Sequence, residues 1–374
     1  MNFFLLSFVG IYGVMHYVVW RGVRPLLPLH PLVVPLALSW TLLMIAAPIL
    51  SRLLERSGAD LPARIAAWGG YLWLGFLFIA FALFALRALG SVLILLLNRI
   101  VPTLALSPLN AVASAVAILV LTLLLGGYAL YEATAIRIET VKIRSSALPP
   151  ELNSLRIVQL SDLHLGLIHR EGTLRAVVEK IRKLQPDLLV ATGDMVDARL
   201  DHLEELVPLT ASLTPPLGKY AVTGNHEVYA GMKGALDFLQ QGGFTLLRNQ
   251  RMVIQPGLSI VGVDDPATGK AQPEEELLSA QKEGFTLLLK HRPLVNASTL
   301  GRFDLQLSGH AHRGQIFPFN LLTRLHYPQQ DGLYPLATGA WLYTSRGTGT
   351  WGPPMRLFSP PEITLFIVER PLSP

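Results

Sequence analysis

The sequence predicts an α/β (α+β) layered domain behind a four-helix transmembrane region, and three observations predict it. Four long apolar runs without one formal charge crowd the first 131 residues. Charge is segregated, since that part holds only seven of the 31 basic and two of the 26 acidic residues. From residue 155 onward, short apolar runs alternate with stretches of helical spacing, the pattern of a βαβ opening.

The 374 residues leave room for two or three domains. With 51% apolar and 15% charged residues and a mean hydropathy of +0.42, one soluble domain does not account for them. Because the 24 basic and 24 acidic residues after position 131 cancel, the formal charge of +5 belongs to the first part. The pI near 9.4 is therefore no argument for a nucleic-acid partner, and none is expected. Zero Cys excludes a disulfide framework, a thiolate zinc site and a cysteine nucleophile. Any metal site must be built from His, Asp, Glu or Asn.

The charge-free runs are 2–20, 25–51, 65–86 and 100–131. Each reaches the roughly 20 residues that a hydrocarbon core of about 30 Å requires, so a transmembrane region over 1–135 is expected, with spans at about 2–20, 31–50, 66–86 and 108–131. A fifth piece, 88–97, is too short to span alone and continues the third helix or lies at the interface. No basic stretch precedes the first run and no small-x-small site follows it, which favours a span over a cleaved leader. With four spans both ends share one side, where Arg52, Arg56, Arg64, Arg137, Lys142 and Arg144 outnumber Arg21, Arg24, Arg87 and Arg99 opposite. The positive-inside rule then puts the second half in the cytoplasm. His16 and His30 lack a partner at helical spacing and read as hydrogen-bonding residues rather than a proton path or haem site.

Residues 136–150 read as a short strand and then a linker, with Pro149 and Pro150 at the boundary, giving a linker over 136–152 and a domain over 153–374. Strands are expected at 155–160, 188–191, 220–222, 259–263, 285–289, 305–307 and 363–368. Leu174, Val177, Val178, Ile181 and Leu184 mark a helix, and further helices fall near 232–240 and 274–281.

Five of these strands run straight into polar residues: Asp162-x-His164, Gly193-Asp194, Gly224-Asn225-His226-Glu227, His291, and Gly309-His310-x-His312. In an α/β sheet the carboxyl ends of strands gather on one rim, where ligands bind. Asp, Asn and imidazole without thiolate suit a hydrolytic divalent site of Mn, Fe or Zn type. Seven candidate ligands exceed the needs of one ion, and two ions sharing a carboxylate would use them all. Such a pair clamps the attacking and leaving oxygens of an in-line displacement at phosphorus.

This string resembles the calcineurin-like metallophosphoesterases over about residues 150–370. The closing segment, with Gly332-Leu333-Tyr334, Ser345-Arg346-Gly347 and Trp351-Gly352-Pro353-Pro354-Met355-Arg356, looks like the membrane-associated bacterial branch similar to YkuE and YaeI, and like enzymes that cleave UDP-2,3-diacylglucosamine. The resemblance implies a four-layer αββα sandwich and two divalent ions, Mn favoured over Fe and Zn. It implies that Asp162, His164, Asp194 and His312 hold one ion, that Asp194, Asn225, His291 and His310 hold the other, and that Asp194 bridges. It makes His226 the group that contacts the phosphoryl and protonates the leaving oxygen, with a hydroxide between the ions as nucleophile. Asp197 and Glu227 are expected as orienting residues.

The branch usually follows its second histidine with Gly-Gly-Gln, whereas here Arg313-Gly314-Gln315 follows. Arg313 either grips a second phosphate or points to solvent. Arg346, with residues 341–343, either lines the cleft or closes the sheet. His169 is a possible cleft residue, and His202 and His326 read as ordinary. The expected function is a membrane-anchored hydrolase of a phosphoester or pyrophosphate bond in a lipid or phosphorylated small molecule, with a UDP-diacylglucosamine-like glycolipid as the sharper guess. A multi-pass place in a bacterial inner membrane goes with it. The alternative is a membrane transporter or sensor carrying a regulatory phosphoesterase-like domain, but its mark, charged residues inside the spans, is absent from the four runs. Oligomeric state is not legible.

Overall fold

A computed structural model describes residues 2–197, 203–278 and 281–371 of the chain; His202 lies outside them. The chain divides into two units, Met1–Tyr131 with Gly352–Leu357, and Glu132–Trp351 with Phe358–Pro374.

The first unit is helical. Helices α1 (Asn2–Val23), α2 (Val33–Arg56), α3 (Asp60–Ile100) and α4 (Ala111–Thr134) coincide with the four apolar runs. Among the described residues, α2, α3 and α4 are long and apolar enough to cross a membrane, with mean hydropathies of 2.1, 2.4 and 2.2 over their best windows. Helix α1 lies on the run read as the first span. At about 1.5 Å per residue the 41 residues of α3 reach about 60 Å, roughly twice a hydrocarbon core. The short piece at 88–97 is thus a continuation of the third helix, which after Pro62 in its first turn meets no proline until Pro102. Arg87, in the second half of α3, donates to Ser114 Oγ at 2.6 Å and to the Leu109 carbonyl at 3.4 Å. Asn98 brackets Leu106 with two bonds of 2.9 Å. The last turns of α3 therefore hold the connection to α4. His16 bonds the Tyr12 carbonyl through Nδ1 at 2.8 Å and accepts from Trp73 Nε1 at 2.9 Å, so both ring nitrogens are engaged within the bundle. His30 Nδ1 accepts from the Leu32 amide.

The second unit contains, in chain order, β1 (Arg137–Arg144), β2 (Ser154–Leu160), α5 (Glu171–Leu184), β3 (Leu188–Ala191), α6 (Leu203–Ala211), β4 (Lys219–Ala221), α7 (Asn225–Ala230), α8 (Met232–Gln241), β5 (Thr245–Leu246), β6 (Gln250–Gln255) and β7 (Leu258–Val263). Then come α9 (Glu274–Leu277), β8 (Phe285–Lys290), β9 (Leu305–Ser308), α10 (Phe319–His326), β10 (Gly332–Pro335), β11 (Trp341–Thr344) and β12 (Glu362–Glu369). They form two mixed six-stranded sheets ordered β1-β12-β2-β3-β4-β5 and β10-β11-β9-β8-β7-β6.

Alternation along the strands explains the layering. Leu155 and Ile157 of β2, Leu188 and Val190 of β3, and Tyr220 of β4 face Ile260, Leu287, Leu289, Leu305 and Leu307 of the other sheet in one buried core. The opposite faces of the same strands, with Val158, Leu160, Leu189, Ala191 and Ala221, pack against Leu174, Val177, Val178 and Ile181 of α5 and Phe238 and Leu239 of α8. Beyond the second sheet, Val261 and Leu288 pack on Leu278 and Phe303, with the short α9 beside them. The result is an αββα sandwich whose second helical layer is thin. Inside it, Gln159 Nε2 donates to Thr192 Oγ1 at 2.8 Å and to the Ser308 carbonyl at 2.9 Å, tying the sheets together just below the rim.

Residues 136–150, read as a short strand and then a linker, contribute β1, which pairs in parallel with β12 over eight residues from Arg137↔Glu362 to Arg144↔Glu369. Its half-exposed, alternating side chains mark an edge strand, and an edge strand with Arg, Glu and Lys outward lacks the continuous apolar run that reveals a buried one.

Candidate metal centre

Three parallel neighbours of the first sheet, β2, β3 and β4, and two of the second, β8 and β9, point their carboxyl ends the same way. From them come Asp162 and His164, Asp194, Asn225 and His226, His291, and His310 and His312. Asp162, His164, Asp194, Asn225, His226, His291 and His312 are buried, and His310 is nearly so. The fold thus brings together all eight residues that the motifs singled out at the strand ends.

Their polar atoms converge. His164 Nε2 lies 3.1 Å from His312 Nε2, which is 3.3 Å from Asp162 Oδ1. His310 Nδ1 lies 3.1 Å from His291 Nε2, itself 3.0 Å from Asp194 Oδ2. Three sets, Asp162 with His164 and His312, His164 with Asp194 and His226, and Asp194 with His291 and His310, each offer ligand atoms within 4.8 Å of one another and could hold a metal ion.

The donor set fits divalent cations on its own chemistry. Pairs of imidazole nitrogens that face each other at hydrogen-bond distance around carboxylates leave acceptor lone pairs directed at a common point. The buried Oδ1 of Asn225 and Nδ1 of His164 have no hydrogen-bond partner, and a buried carbonyl oxygen without a donor is costly unless something else satisfies it.

Local backbone conformation explains how so many ligands share one rim. Asp162, His164, Asp194, His310 and His312 all have φ between 48° and 69°, in the left-handed region. Such conformations cost of order 1–3 kcal/mol each for residues with a Cβ and concentrate at functional sites. Close approach adds to this at Gly309, where a Cβ would stand 2.0 Å from Ser161 Oγ and 2.2 Å from Asp162 Oδ2, and at Gly224, where it would stand 2.1 Å from Asp194 Oδ1. Nothing larger than glycine lets the facing carboxylates sit where they do.

Residues 155–314 match the family model described as calcineurin-like phosphoesterase. A protein of Aquifex aeolicus described as an uncharacterized metallophosphoesterase is 38% identical over 257 residues, which cover 67% of this chain and 98% of that protein. The chain belongs to the calcineurin-like metallophosphoesterases. The uncharacterized metallophosphoesterase YkuE of Bacillus subtilis is 34% identical over 65% of this chain and 89% of its own length. A transmembrane protein with metallophosphoesterase domain from Danio rerio is 32% identical over 67% of this chain, and the match spans 62% of that longer protein. The family uses a dinuclear divalent metal centre to hydrolyse phosphate esters, and this phosphoesterase is read as a hydrolase of that class.

Around the candidate ligands stand residues that fix them. Glu227, fully buried, accepts from four backbone amides: Gly224 at 2.7 Å, Asp194 at 3.0 Å, Met195 at 2.7 Å and Val196 at 3.2 Å. It ties the turn after β3 to the turn after β4. His291 Nδ1 bonds the Thr192 carbonyl at 2.8 Å, which turns Nε2 toward the centre. Asp197 lies 2.5 Å from His226 Nδ1, leaving His226 Nε2 pointed inward, 4.0 Å from Asp194 Oδ2.

Charge follows this geometry. Burial alone raises carboxyl pKa values, yet His312, His291 and His164 hold Asp162 well below the usual range, and His291 and His226 do the same for Asp194. Glu227 is raised by burial and by Asp194, against the pull of its amide donors. Burial lowers His226, but Asp194 and the bond to Asp197 outweigh it and lift it to about 9.

The two arginines offered as substrate residues each face a carboxylate. Arg313 Nε faces Asp331 Oδ2 at 3.4 Å, with its side chain about two-fifths exposed. Arg346 Nη2 lies 2.5 Å from both Glu139 of β1 and Glu362 of β12, and Tyr343 OH donates to Glu362 at 2.8 Å. Of the two roles open to Arg346, the contacts match closure of the sheet. His169 Nε2 accepts from the Thr350 amide at 3.0 Å and so ties its loop to the 348–350 segment. Sequence reasoning missed the rim of aromatic side chains: the exposed rings of Tyr229 and Trp351 stand 5.3 and 5.9 Å from the His226 ring. It missed Arg292 too, which forks onto the buried Asp265 at 2.8 and 3.0 Å. Trp351 stands in a closing motif that carried no assigned role and Arg292 follows His291, and position in the chain was their only signal.

Proposed function

We propose that this chain is a multi-pass membrane phosphoesterase that uses two divalent ions, Mn favoured, to hydrolyse the phosphoester or pyrophosphate bond of a lipid-linked substrate, with a UDP-diacylglucosamine-like glycolipid as the specific candidate. The observation that carries it is the convergence of Asp162, His164, Asp194, His291, His310 and His312 in overlapping sets that could hold a metal ion, with the buried Oδ1 of Asn225 left without a hydrogen-bond partner. In this reading Asp162, His164, Asp194 and His312 hold one ion, Asp194, Asn225, His291 and His310 hold the other, and Asp194 bridges. When bound, such a pair supplies Lewis-acid polarisation of the phosphoryl oxygens and lowers the pKa of water.

The chain's own residues do the rest. His226 also falls in one of the three ligating sets, yet Asp197 holds its Nδ1, and the bond to Asp197 favours the protonated ring. That state suits donation from Nε2 to a leaving oxygen better than ligation. Tyr229 and Trp351 flank the same ring and offer faces to a sugar or base in the leaving group. Three apolar helices support membrane association, and a substrate that diffuses in the bilayer gains effective concentration at an enzyme confined there. The six-to-four excess of basic residues supports a cytoplasmic second unit in a bacterial inner membrane.

The test is a panel of phosphate monoesters, diesters and a glycolipid pyrophosphate, assayed with the purified full chain and Mn²⁺. Turnover that chelator abolishes and Mn²⁺ restores is expected, strongest on the glycolipid. Activity indifferent to chelator sinks the dimetal reading, and a preference for water-soluble monoesters sinks the lipid reading alone.

A further inference from the structure

Seven residues after His312, the second unit raises a helix that buries nothing. None of the eight residues of α10 is buried. Leu321, Leu322 and Leu325, which helical spacing puts on one face, are 59, 60 and 82% exposed, and Phe317 and Phe319 at its start are 44 and 47% exposed. Phe317 rests edge-on against Phe358, itself 53% exposed. Single exposed apolar side chains are ordinary, whereas three leucines on one helix face, with paired Phe317 and Phe358 at its base, mark an interaction surface.

The helix is not free to fold away. Gly314 has φ +72°, and a Cβ on it would stand 2.4 Å from both N and Cα of Asn320. The backbone of α10 is thus seated directly on the turn His312–Gly314, whose first residue is a candidate metal ligand. Isolated helices this short are unstable in water, so α10 calls for a medium that covers its leucines.

We propose that α10, with Phe317 and Phe358 at its base, lies in the surface of the lipid bilayer and holds the metal-bearing turn at that surface. A bilayer is the partner that the chain's own apolar helices bring with them. The charge agrees: α10 carries exposed Arg324 and no acidic residue, as suits anionic headgroups beside a shallow apolar face. A second copy of the chain fits less well, because a stable protein interface takes roughly 800 Å² per partner and a helix about 12 Å long presents one narrow face. The proposal rests on the membrane-spanning reading of the first unit and not on the identity of the substrate.

Because the chain has no cysteine, single labels need no background removal. Leu325→Cys and Leu322→Cys on α10, Leu123→Cys on α4 (66% exposed) and Lys233→Cys on α8 (side chain 90% exposed) are each labelled with an environment-sensitive fluorophore. The full chain is placed in phosphatidylcholine–phosphatidylglycerol vesicles containing doxyl-labelled lipid. The α4 label and both α10 labels should be quenched several-fold more than the Lys233 label. If the α4 label is quenched while the α10 labels match Lys233, the proposal is wrong. If α10 labels shift to the blue without quenching, protein covers the helix, and the lipid assignment is equally wrong. A silent α4 label overturns the membrane-spanning reading itself, and the α10 proposal falls with it.

Discussion

Asp194 is committed on both oxygens, one accepting from the His226 amide at 2.8 Å and the other facing His291 at 3.0 Å, so its loss cannot be made good by a neighbour. Asp194→Ala should remove most of both metals, measured by elemental analysis of the purified chain, and all activity with them. His226→Ala should keep the metals and lose activity by about 10²–10⁴-fold, the usual contribution of a general acid; metal loss in that variant defeats the division of roles. Arg346 makes the opposite prediction. Its guanidinium compensates Glu362, which is fully buried, and breaking a buried pair by removing one partner costs about 3–5 kcal/mol. Arg346→Ala should therefore lower the thermal midpoint sharply while KM of the folded fraction stays put, whereas a raised KM with unchanged stability would return Arg346 to the substrate. At this scale the sequence was most legible where chemistry is rare: Asp, Asn and His at the ends of apolar runs stand out without a structure. Arg346 was ambiguous because its partner Glu139 lies 207 residues away in the chain, and Arg313 because Asp331 comes from a different loop.

Between residues and molecule, the strand-to-turn junction is the unit that builds the centre. At Gly193-Asp194 and Gly309-His310 a strand ends, a glycine admits a close contact, and a candidate ligand in the left-handed region follows. Gly309 is the sharpest case, since the site of its missing Cβ lies within 2.2 Å of two polar atoms, one of them on Asp162. Gly309→Ala should push Asp162 off its position and weaken Mn²⁺ binding by tenfold or more, read by isothermal titration, with far-ultraviolet circular dichroism unchanged; full metal affinity would show that the rim adjusts freely. Buried strands such as β3, β7 and β8 were legible because burial on both faces leaves a near-continuous apolar run. Elements at the edges and surface were not. Strands β6 and β10 have no buried residue to set a period, α7 is a single polar turn-and-a-half built around ligands, and α10 shows the apolar spacing of a core helix while covering no core.

For the whole molecule, the question is what the apolar helices add to an enzyme whose candidate ligands all come from the second unit. Cutting the chain answers it only if the cut respects the fold. A start near residue 147 would strip β1 from β12 and expose a sheet edge, so the shortened chain should begin at Glu132. Even then Met355 and Leu357, buried in the helical unit, lose cover, and thermal unfolding has to show that the shortened chain is folded before rates are compared. Given that, both chains should turn over a water-soluble phosphate head group at similar kcat/KM, because the same metals and the same His226 act on it. An acylated substrate presented in vesicles should favour the full chain by on the order of 10² or more, the usual gain from confinement beside a partner. Membrane tethering alone cannot produce that gap for a substrate that does not partition, which is why the deacylated head group is the decisive comparison. Equal rates for both chains on both substrates would leave the hydrolase intact and show that the helices serve a purpose other than meeting a lipid.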